Sequence, residues 1–204
     1  MNEDVDSRQL GAAAEPADPA RLFGFLTNPR LPPVDQWNPA HCGSIDMRIA
    51  RDGQWFYRGS PIGRPAMVKL FSTVLRREPN GSYCLVTPTE KLSLVVEDAP
   101  FMAVELAVTG EGKNQRLAFR TNVDEAVSVD TDHPIRVIHD PATGEPRPYV
   151  MVRAGLEALM TRPVFYELIE RAEPGPADES PSGEGLGVWS AGVFFPLGRQ
   201  IVKD

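Results

Sequence analysis

Apolar and polar positions alternate over Ile45–Ile49, with Ile45, Met47 and Ile49 separated by Asp46 and Arg48. That period of two predicts a half-buried strand. Asp52-Gly53 follows, and since both central residues of a type I′ turn need positive φ, the pair predicts a hairpin. Trp55, Phe56 and Tyr57 have the composition of the return strand. Gly59, Pro61 and Gly63 interrupt it, and Pro65 suits the first turn of a helix, where its missing N–H costs nothing. Met67, Leu70, Phe71, Val74 and Leu75 recur at helical spacing and predict one apolar face, with Lys69, Thr73 and Arg76 opposite.

Further along, Pro79-Asn80-Gly81 turns the chain into a strand at Tyr83–Thr87. Alternation returns at Leu92, Leu94 and Val96, at Val104, Leu106 and Val108, and beyond the Gly110–Asn114 turn at Leu117 and Phe119. Short strands follow at Val127–Val129, Ile135–His139 and Tyr149–Arg153. Two helical stretches are predicted at Leu156–Met160 and Pro163–Ala172, the second with Phe165, Leu168 and Ile169 on one face. Residues 173–186, rich in Pro, Gly, Ser and acids, read as a flexible loop, and Val188–Pro196 returns to strand. Strands at this spacing, joined by short turns, predict mainly antiparallel sheets in an α+β fold.

The pattern repeats. Ile45–Gly53 is echoed by Ile135–Gly144, and the strand ending at Arg58-Gly59 by Tyr149–Arg153 and Gly155. Arg64-Pro65-Ala66-Met67-Val68-Lys69-Leu70-Phe71 is echoed by Arg162-Pro163-Val164-Phe165-Tyr166-Glu167-Leu168-Ile169. Strand, turn, strand, helix, strand is the order in both. Chance matching of frequent elements also produces such echoes. A duplication divides the chain into a mobile arm at 1–30, an α+β subdomain at 31–101 and a second, barrel-like one at 102–204. Within the arm, Asp18 caps a short helix carrying Leu22, Phe23, Phe25 and Leu26, closed by Pro29. It reads either as packing on its own domain or as a docking arm for a partner.

Composition narrows the function classes. The 204 residues suffice for one large core or two small ones, and 42% hydrophobic with 24% charged residues is ordinary for a globular protein. A net charge of −7 argues against a mainly electrostatic nucleic-acid binder. The two cysteines, Cys42 and Cys84, lack metal spacing and read as a reduced pair, with a single disulfide as the alternative. No apolar run reaches the roughly 20 residues of a membrane helix, and the acidic start lacks a signal-peptide core, so a cytoplasmic location is expected.

Several blocks carry a resemblance. Trp37-Asn38-Pro39, Cys42-Gly43, the stretch Asp52–Pro65, VTPTEK at Val86–Lys91, VEDAPF at Val96–Phe101 and VFFPLGR at Val193–Arg199 resemble a bacterial family known as domain of unknown function 1285. His133–Val137, Thr143–Val150 and Val152–Leu159 fit it too. The resemblance runs from about Pro32 onward and leaves the first ~30 residues outside. It implies a duplicated α+β core whose second half is loosely similar to pleckstrin-homology-like barrels, a binding surface between the halves and a signalling role. It implies no activity.

The chemistry-bearing residues are sparse. Asp130, Asp132, His133, His139 and Asp140 have metal-ligand chemistry, but His133 and His139 lie about 20 Å apart along an extended chain, too far for one ion. Turn chemistry accounts equally for Asp130-x-Asp132 before Pro134. His41 and Cys42 are adjacent and point opposite ways, so they form no dyad. Ser60 lacks a nucleophile elbow, and Gly110-Glu111-Gly112 carries an acid where a phosphate loop would need none. No cofactor or metal is expected. Arginine forks recognise carboxylate and phosphate, and Arg58, Arg64, Arg136 and Arg153 fall at strand ends or bends in both halves. Trp55, Tyr57 and Tyr149 add stacking surface, and Glu90 and His133 add polar groups. Internal ion pairs, with acids such as Asp98 or Glu145, are the competing explanation for the arginines.

The sequence therefore predicts a non-catalytic binding module of regulatory or signalling role. Its partner would be a small anionic ligand, a protein or a nucleic-acid segment held between the halves. The alternative is a hydrolase-like enzyme using His133 with Asp130 or Glu90. A third reading is a structural adaptor docking through the arm.

Overall fold

The computed structural model describes residues 31–176 and 185–199. The first half opens with a 3-10 turn at Val34–Gln36, then strand β1 (His41–Ile49), β2 (Trp55–Tyr57) and the two-residue β3 (Ser60–Pro61). Helix α1 (Pro65–Thr73) leads into β4 (Leu75–Arg77), β5 (Tyr83–Val86) and β6 (Lys91–Val96). These strands form one sheet in the order β3-β2-β1-β6-β5-β4, antiparallel except for the β1–β6 pair.

The second half adds β7 (Phe101–Thr109), β8 (Arg116–Thr121) and β9 (Ala126–Ser128), then β10 (Ile135–His139), β11 (Pro146–Arg153) and β12 (Leu156–Met160). Helix α2 (Arg162–Ile169) follows, with β13 (Glu173–Pro174), β14 (Gly185–Ser190) and β15 (Val193–Arg199). A sheet in the order β10-β11-β12-β7-β8-β9, parallel only at β12–β7, is joined by the antiparallel β13-β14-β15 sheet. The tip of the β14–β15 hairpin closes on β8 and the chain after β9. Ser190 Oγ donates to the Val129 carbonyl at 2.7 Å and accepts from the Leu117 N–H at 3.0 Å. Gln115 Nε2 donates to the Trp189 carbonyl at 2.7 Å. The half curls into an open barrel, with α2 packed on β7.

The duplication is longer than the sequence echo. The series β1-β2-β3-α1-β4-β5-β6 matches β10-β11-β12-α2-β13-β14-β15 element by element. β1 is hydrogen-bonded to β6, and β10 runs beside β15 in the same place. The turns match as well. Arg58-Gly59 between β2 and β3, and Ala154-Gly155 between β11 and β12, both have two successive left-handed residues, φ +49/+74 and +43/+77. Both are type I′ hairpins, as is Ala191-Gly192 between β14 and β15, φ +52/+80. The unit β7-β8-β9 stands before the second copy and extends its sheet from β12.

Four expectations are corrected. Leu156–Met160 is strand β12, because a short apolar run buried between β11 and β7 carries no helical period to distinguish it. The Asp52-Gly53 turn is type I with a left-handed Gly53 (φ +81), closed by Gly53 N–H to the Ala50 carbonyl at 2.9 Å, so Asp52 never needs positive φ. The helices start at Pro65 and Arg162, which moves the repeat by one residue, pairing Val68 with Phe165 and Phe71 with Leu168. Helix α1 therefore turns Val68, Phe71 and Ser72 inward and leaves Met67 and Leu70 exposed, while Val74 and Leu75 lie beyond its end. Finally, Glu173–Pro174 pairs with β14 rather than belonging to a loop. The arm at 1–30 and its Asp18–Pro29 helix lie outside the described residues, as do 177–184.

One hydrophobic core runs through both halves, from Met47, Ile49, Trp55, Leu75 and Leu94 to Phe101, Phe119, Val150, Leu156 and Leu168. Polar contacts cross the same boundary. Arg153, paired with Glu125 of its own half at 2.9 Å, donates to the Ser72 carbonyl of α1 at 2.8 Å. Asn122 Nδ2 donates to the Gly53 carbonyl at 3.3 Å, and Arg77 to the Gly155 carbonyl at 3.3 Å. No helix among the described residues is long and apolar enough to cross a membrane.

Candidate functional site

Where the halves meet beside the β10–β11 turn, the surface opens into a cleft of about 310 Å³. The first half supplies Arg51 from the hairpin turn. The second supplies Asp140 and Glu145 from the β10–β11 turn, Pro146, Arg147 and Pro148 from β11, Leu159 and Met160 from β12, and Arg162 and Phe165 from α2.

Each polar group has a structural cause. Asp140 Oδ1 accepts from the N–H groups of Ala142 and Thr143 at 2.9 and 3.0 Å, which shapes the turn and holds its carboxyl below the usual aspartate range. Arg147 is ion-paired with Asp98 of the loop joining β6 to β7. Asp98 also accepts the Tyr149 hydroxyl at 2.8 Å. Burial first, then the hydrogen bond to and charge of Asp98, push the Tyr149 phenol up to about 12. Arg162 pairs with Glu145 at the exposed rim. Arg51 donates its backbone N–H to Glu97 at 3.1 Å, while Glu97 takes Arg48 as its ion-pair partner. The Arg51 guanidinium has no ion pair among the described residues. Three arginines and two acidic residues thus line the cleft together with Pro146, Pro148, Leu159, Met160 and Phe165. The lining contains no serine, threonine, cysteine or histidine.

The residues singled out from sequence lie elsewhere. Trp55 is 1% exposed and stacks on Phe71 at 6.4 Å inside the core. Its Nε1 is buried without a hydrogen-bond partner. Tyr149 is 3% exposed. Arg136 is bound bidentately by Glu157 at 2.5 and 2.6 Å over the Tyr149 ring, and Arg153 is consumed by Glu125 and by the Ser72 carbonyl across the halves. Arg58 sits exposed over Tyr57 in its hairpin turn, and Arg64 is exposed at the start of α1. Glu90 is exposed in a turn where its N–H bonds Thr87 Oγ1 at 3.0 Å. His133 Nδ1 lies 2.9 Å from Asp130 Oδ1, an oxygen that also accepts the N–H groups of Asp132 and His133 at 2.9 Å each. Burial pushes Asp130 up, but these hydrogen bonds outweigh it and its carboxyl sits below the usual range.

No grouping of three metal-ligating side chains occurs among the described residues. Cys84 is a buried free thiol, so it is not in a disulfide. Arg51, Arg147 and Arg162 carry no distinguishing local pattern. The one signal toward them was indirect: Asp98 and Glu145, anticipated as arginine partners, do pair with arginines, namely Arg147 and Arg162.

The architecture defines a duplicated α+β protein whose second copy is curled into a half-barrel. The chain belongs to the DUF1285 family, matching "Domain of unknown function (DUF1285), N-terminal domain" over residues 32–99 and "Protein of unknown function (DUF1285), C-terminal domain" over residues 100–197. It is similar to a DUF1285 family protein from Silicibacter pomeroyi DSS-3 whose crystal structure is known, with 49% identity and a TM-score of 0.77 over 87% of this chain and 94% of that one. A DUF1285 family protein from Shewanella baltica OS155 shares the fold, with 23% identity and a TM-score of 0.50 over 62% of this chain and 91% of that one. No curated protein matches.

Proposed function

We propose that the protein is a non-catalytic binding module of regulatory or signalling role that takes a small carboxylate- or phosphate-bearing ligand in the cleft between its halves. The observation that carries this reading is Arg51, an arginine without an ion-pair partner among the described residues, placed at a cleft with Arg147 and Arg162. Arg147 is held in place by the buried Asp98, so less of its side-chain entropy is lost when an anion arrives. At about 310 Å³ the cleft is near the lower end of small-ligand sites, roughly 300–1,000 Å³. The apolar wall seats the uncharged body of the ligand and excludes water from the charged contacts.

The test is thermal shift of the full chain with inorganic phosphate, citrate, ATP and a single-stranded oligonucleotide, repeated on Arg51→Ala. A ligand at a hundred times its dissociation constant stabilises by roughly 2.7 kcal/mol. A shift that Arg51→Ala abolishes supports the cleft. A shift that Arg51→Ala leaves intact, or none with any of the four, defeats it.

The hydrolase-like reading keeps one observation, the His133–Asp130 contact at 2.9 Å. Its single aspartate oxygen serves three donors in a turn, and neither residue lines the cleft. Turnover of chromogenic esters or phosphoesters that His133→Ala removes would favour it.

A further inference from the structure

The charges that line the cleft balance. Arg147 is neutralised by Asp98 and Arg162 by Glu145. Two lining residues have no ion-pair partner among the described residues, Arg51 and Asp140, and they are opposite in sign. They also come from opposite halves. Arg51 stands in the β1–β2 turn and Asp140 in the β10–β11 turn, which hold the same place in the two copies. The Asp140 carboxylate is engaged only by its own turn, through the N–H groups of Ala142 and Thr143 on Oδ1 and the side chain of Thr143. Those hydrogen bonds keep it ionised at neutral pH, where a guanidinium is always protonated.

Taking the cleft as the ligand site proposed above, we infer that its occupant is a zwitterion, an α-amino acid with an apolar side chain, whose carboxylate is taken by Arg51 and whose ammonium group is taken by Asp140. A ligand that is only an anion gains Arg51 but brings its charge among Asp140 and Glu145, and like charges repel. A zwitterion gives each unpaired residue a charge-assisted hydrogen bond and leaves the cleft neutral. The lining also explains the apolar side chain. Leu159, Met160 and Phe165 present hydrocarbon and ring surface, and the flexible thioether of Met160 adapts to occupants of different shape. At about 310 Å³ the space is at the small end of ligand sites, which favours a molecule of amino-acid size.

The experiment is titration calorimetry of the full chain, Arg51→Ala and Asp140→Asn with L-leucine, L-phenylalanine, N-acetyl-L-leucine and citrate. Asparagine keeps the oxygen that accepts the turn's N–H groups, and thermal midpoints of the free variants check that both are folded. The expected result is binding of leucine or phenylalanine that each substitution weakens by about tenfold or more. N-acetyl-L-leucine keeps the carboxylate and lacks the ammonium group, so it should bind the unaltered chain about tenfold or more weakly than leucine. Citrate should bind more weakly than leucine and gain affinity in Asp140→Asn, which removes a repelling charge. N-acetyl-L-leucine binding as tightly as leucine overturns the proposal without recourse to a variant. So does leucine affinity that Asp140→Asn leaves unchanged. Citrate binding that requires Arg51, with neither amino acid bound, overturns the zwitterion and leaves the anion site standing. Binding of none of the four overturns both.

Discussion

Tyr149 donates its hydroxyl hydrogen to Asp98 Oδ1 at 2.8 Å, joining β11 to the loop that leads from β6 into β7. Arg147 holds the other oxygen of the same carboxylate. Asp98 side-chain exposure is 9%, so its removal strands two buried or half-buried donors at once. Asp98→Ala should cost about 3–5 kcal/mol and Tyr149→Phe, which deletes one donor and leaves Arg147 in place, about 1–2 kcal/mol. Urea unfolding of the two variants with an unchanged slope checks the pair. Equal losses would mean that the Arg147 contact contributes nothing.

The same contact sets an alkaline limit. Tyr149 keeps its proton up to about 12 in the folded chain, against about 10 for an ordinary tyrosine. A raised acid pKa contributes stability that is whole below about pH 10 and is lost as pH rises from there to about 12. Absorbance at 295 nm should show a late phenolate step that Tyr149→Phe deletes. Tyr83, also raised by burial, should remain late in that variant.

At the acid end Asp130 works with the opposite sign. Its carboxyl is depressed by the hydrogen bonds from His133 and Asp132, so its contribution is present above about pH 3.9 and falls away as pH drops through the lower folded value. The side chain is 41% exposed, which limits the effect to well under about 1 kcal/mol. Stability of Asp130→Asn between pH 5 and 2 should decline less steeply than that of the unaltered chain.

Two glycines with similar φ make an internal control. A Cβ on Gly53 would stand 2.5 Å from Met102 Cγ and 2.9 Å from Asn122 Nδ2, whereas one on Gly59 meets nothing within 4 Å. Gly59→Ala should cost only the left-handed strain, about 1 kcal/mol. Gly53→Ala adds displacement of the Met102 and Asn122 side chains, another ~1–3 kcal/mol. Thermal midpoints in parallel separate the two terms.

Arg153 and Arg58 occupy comparable ends of corresponding strands but opposite environments. Arg153→Ala leaves Glu125 without its ion-pair partner in a site where both side chains are under 20% exposed, and should cost about 3 kcal/mol or more. Arg58→Ala, an exposed turn position, should stay within about 0.5 kcal/mol.

Much of the fold was legible because its signals are local. Alternation at Ile45–Ile49, the Pro65 helix start and the echo of the first copy in the second all reflect short-range periods, whereas a bulge between Ala103 and Glu105 turns Val104 outward from the face that Leu106 buries. The misreadings share a cause too. Leu156–Met160 is buried on both faces, which erases the period, and Met67 and Leu70 look like a core face until the neighbouring strands are in place. The cleft was legible only through Asp98 and Glu145. Arg51 and Arg162 are 111 positions apart in the chain, and only the packing of the β10–β11 turn against the first hairpin brings them to one opening. Trp55 and Tyr149 look alike in sequence whether they stack on a ligand or fill a core.

The unbroken core has a consequence for how the molecule behaves as a machine. The family's two domains meet at residues 99–100, yet that border runs through packed side chains from Leu94 to Phe101 and Phe119. It marks ancestry without marking a hinge. Heat or denaturant should dissolve both copies in one cooperative step. Chains cut at the border should be partners that regain structure only together, so anything gripping Arg51 on one side and Arg162 on the other steadies the entire molecule.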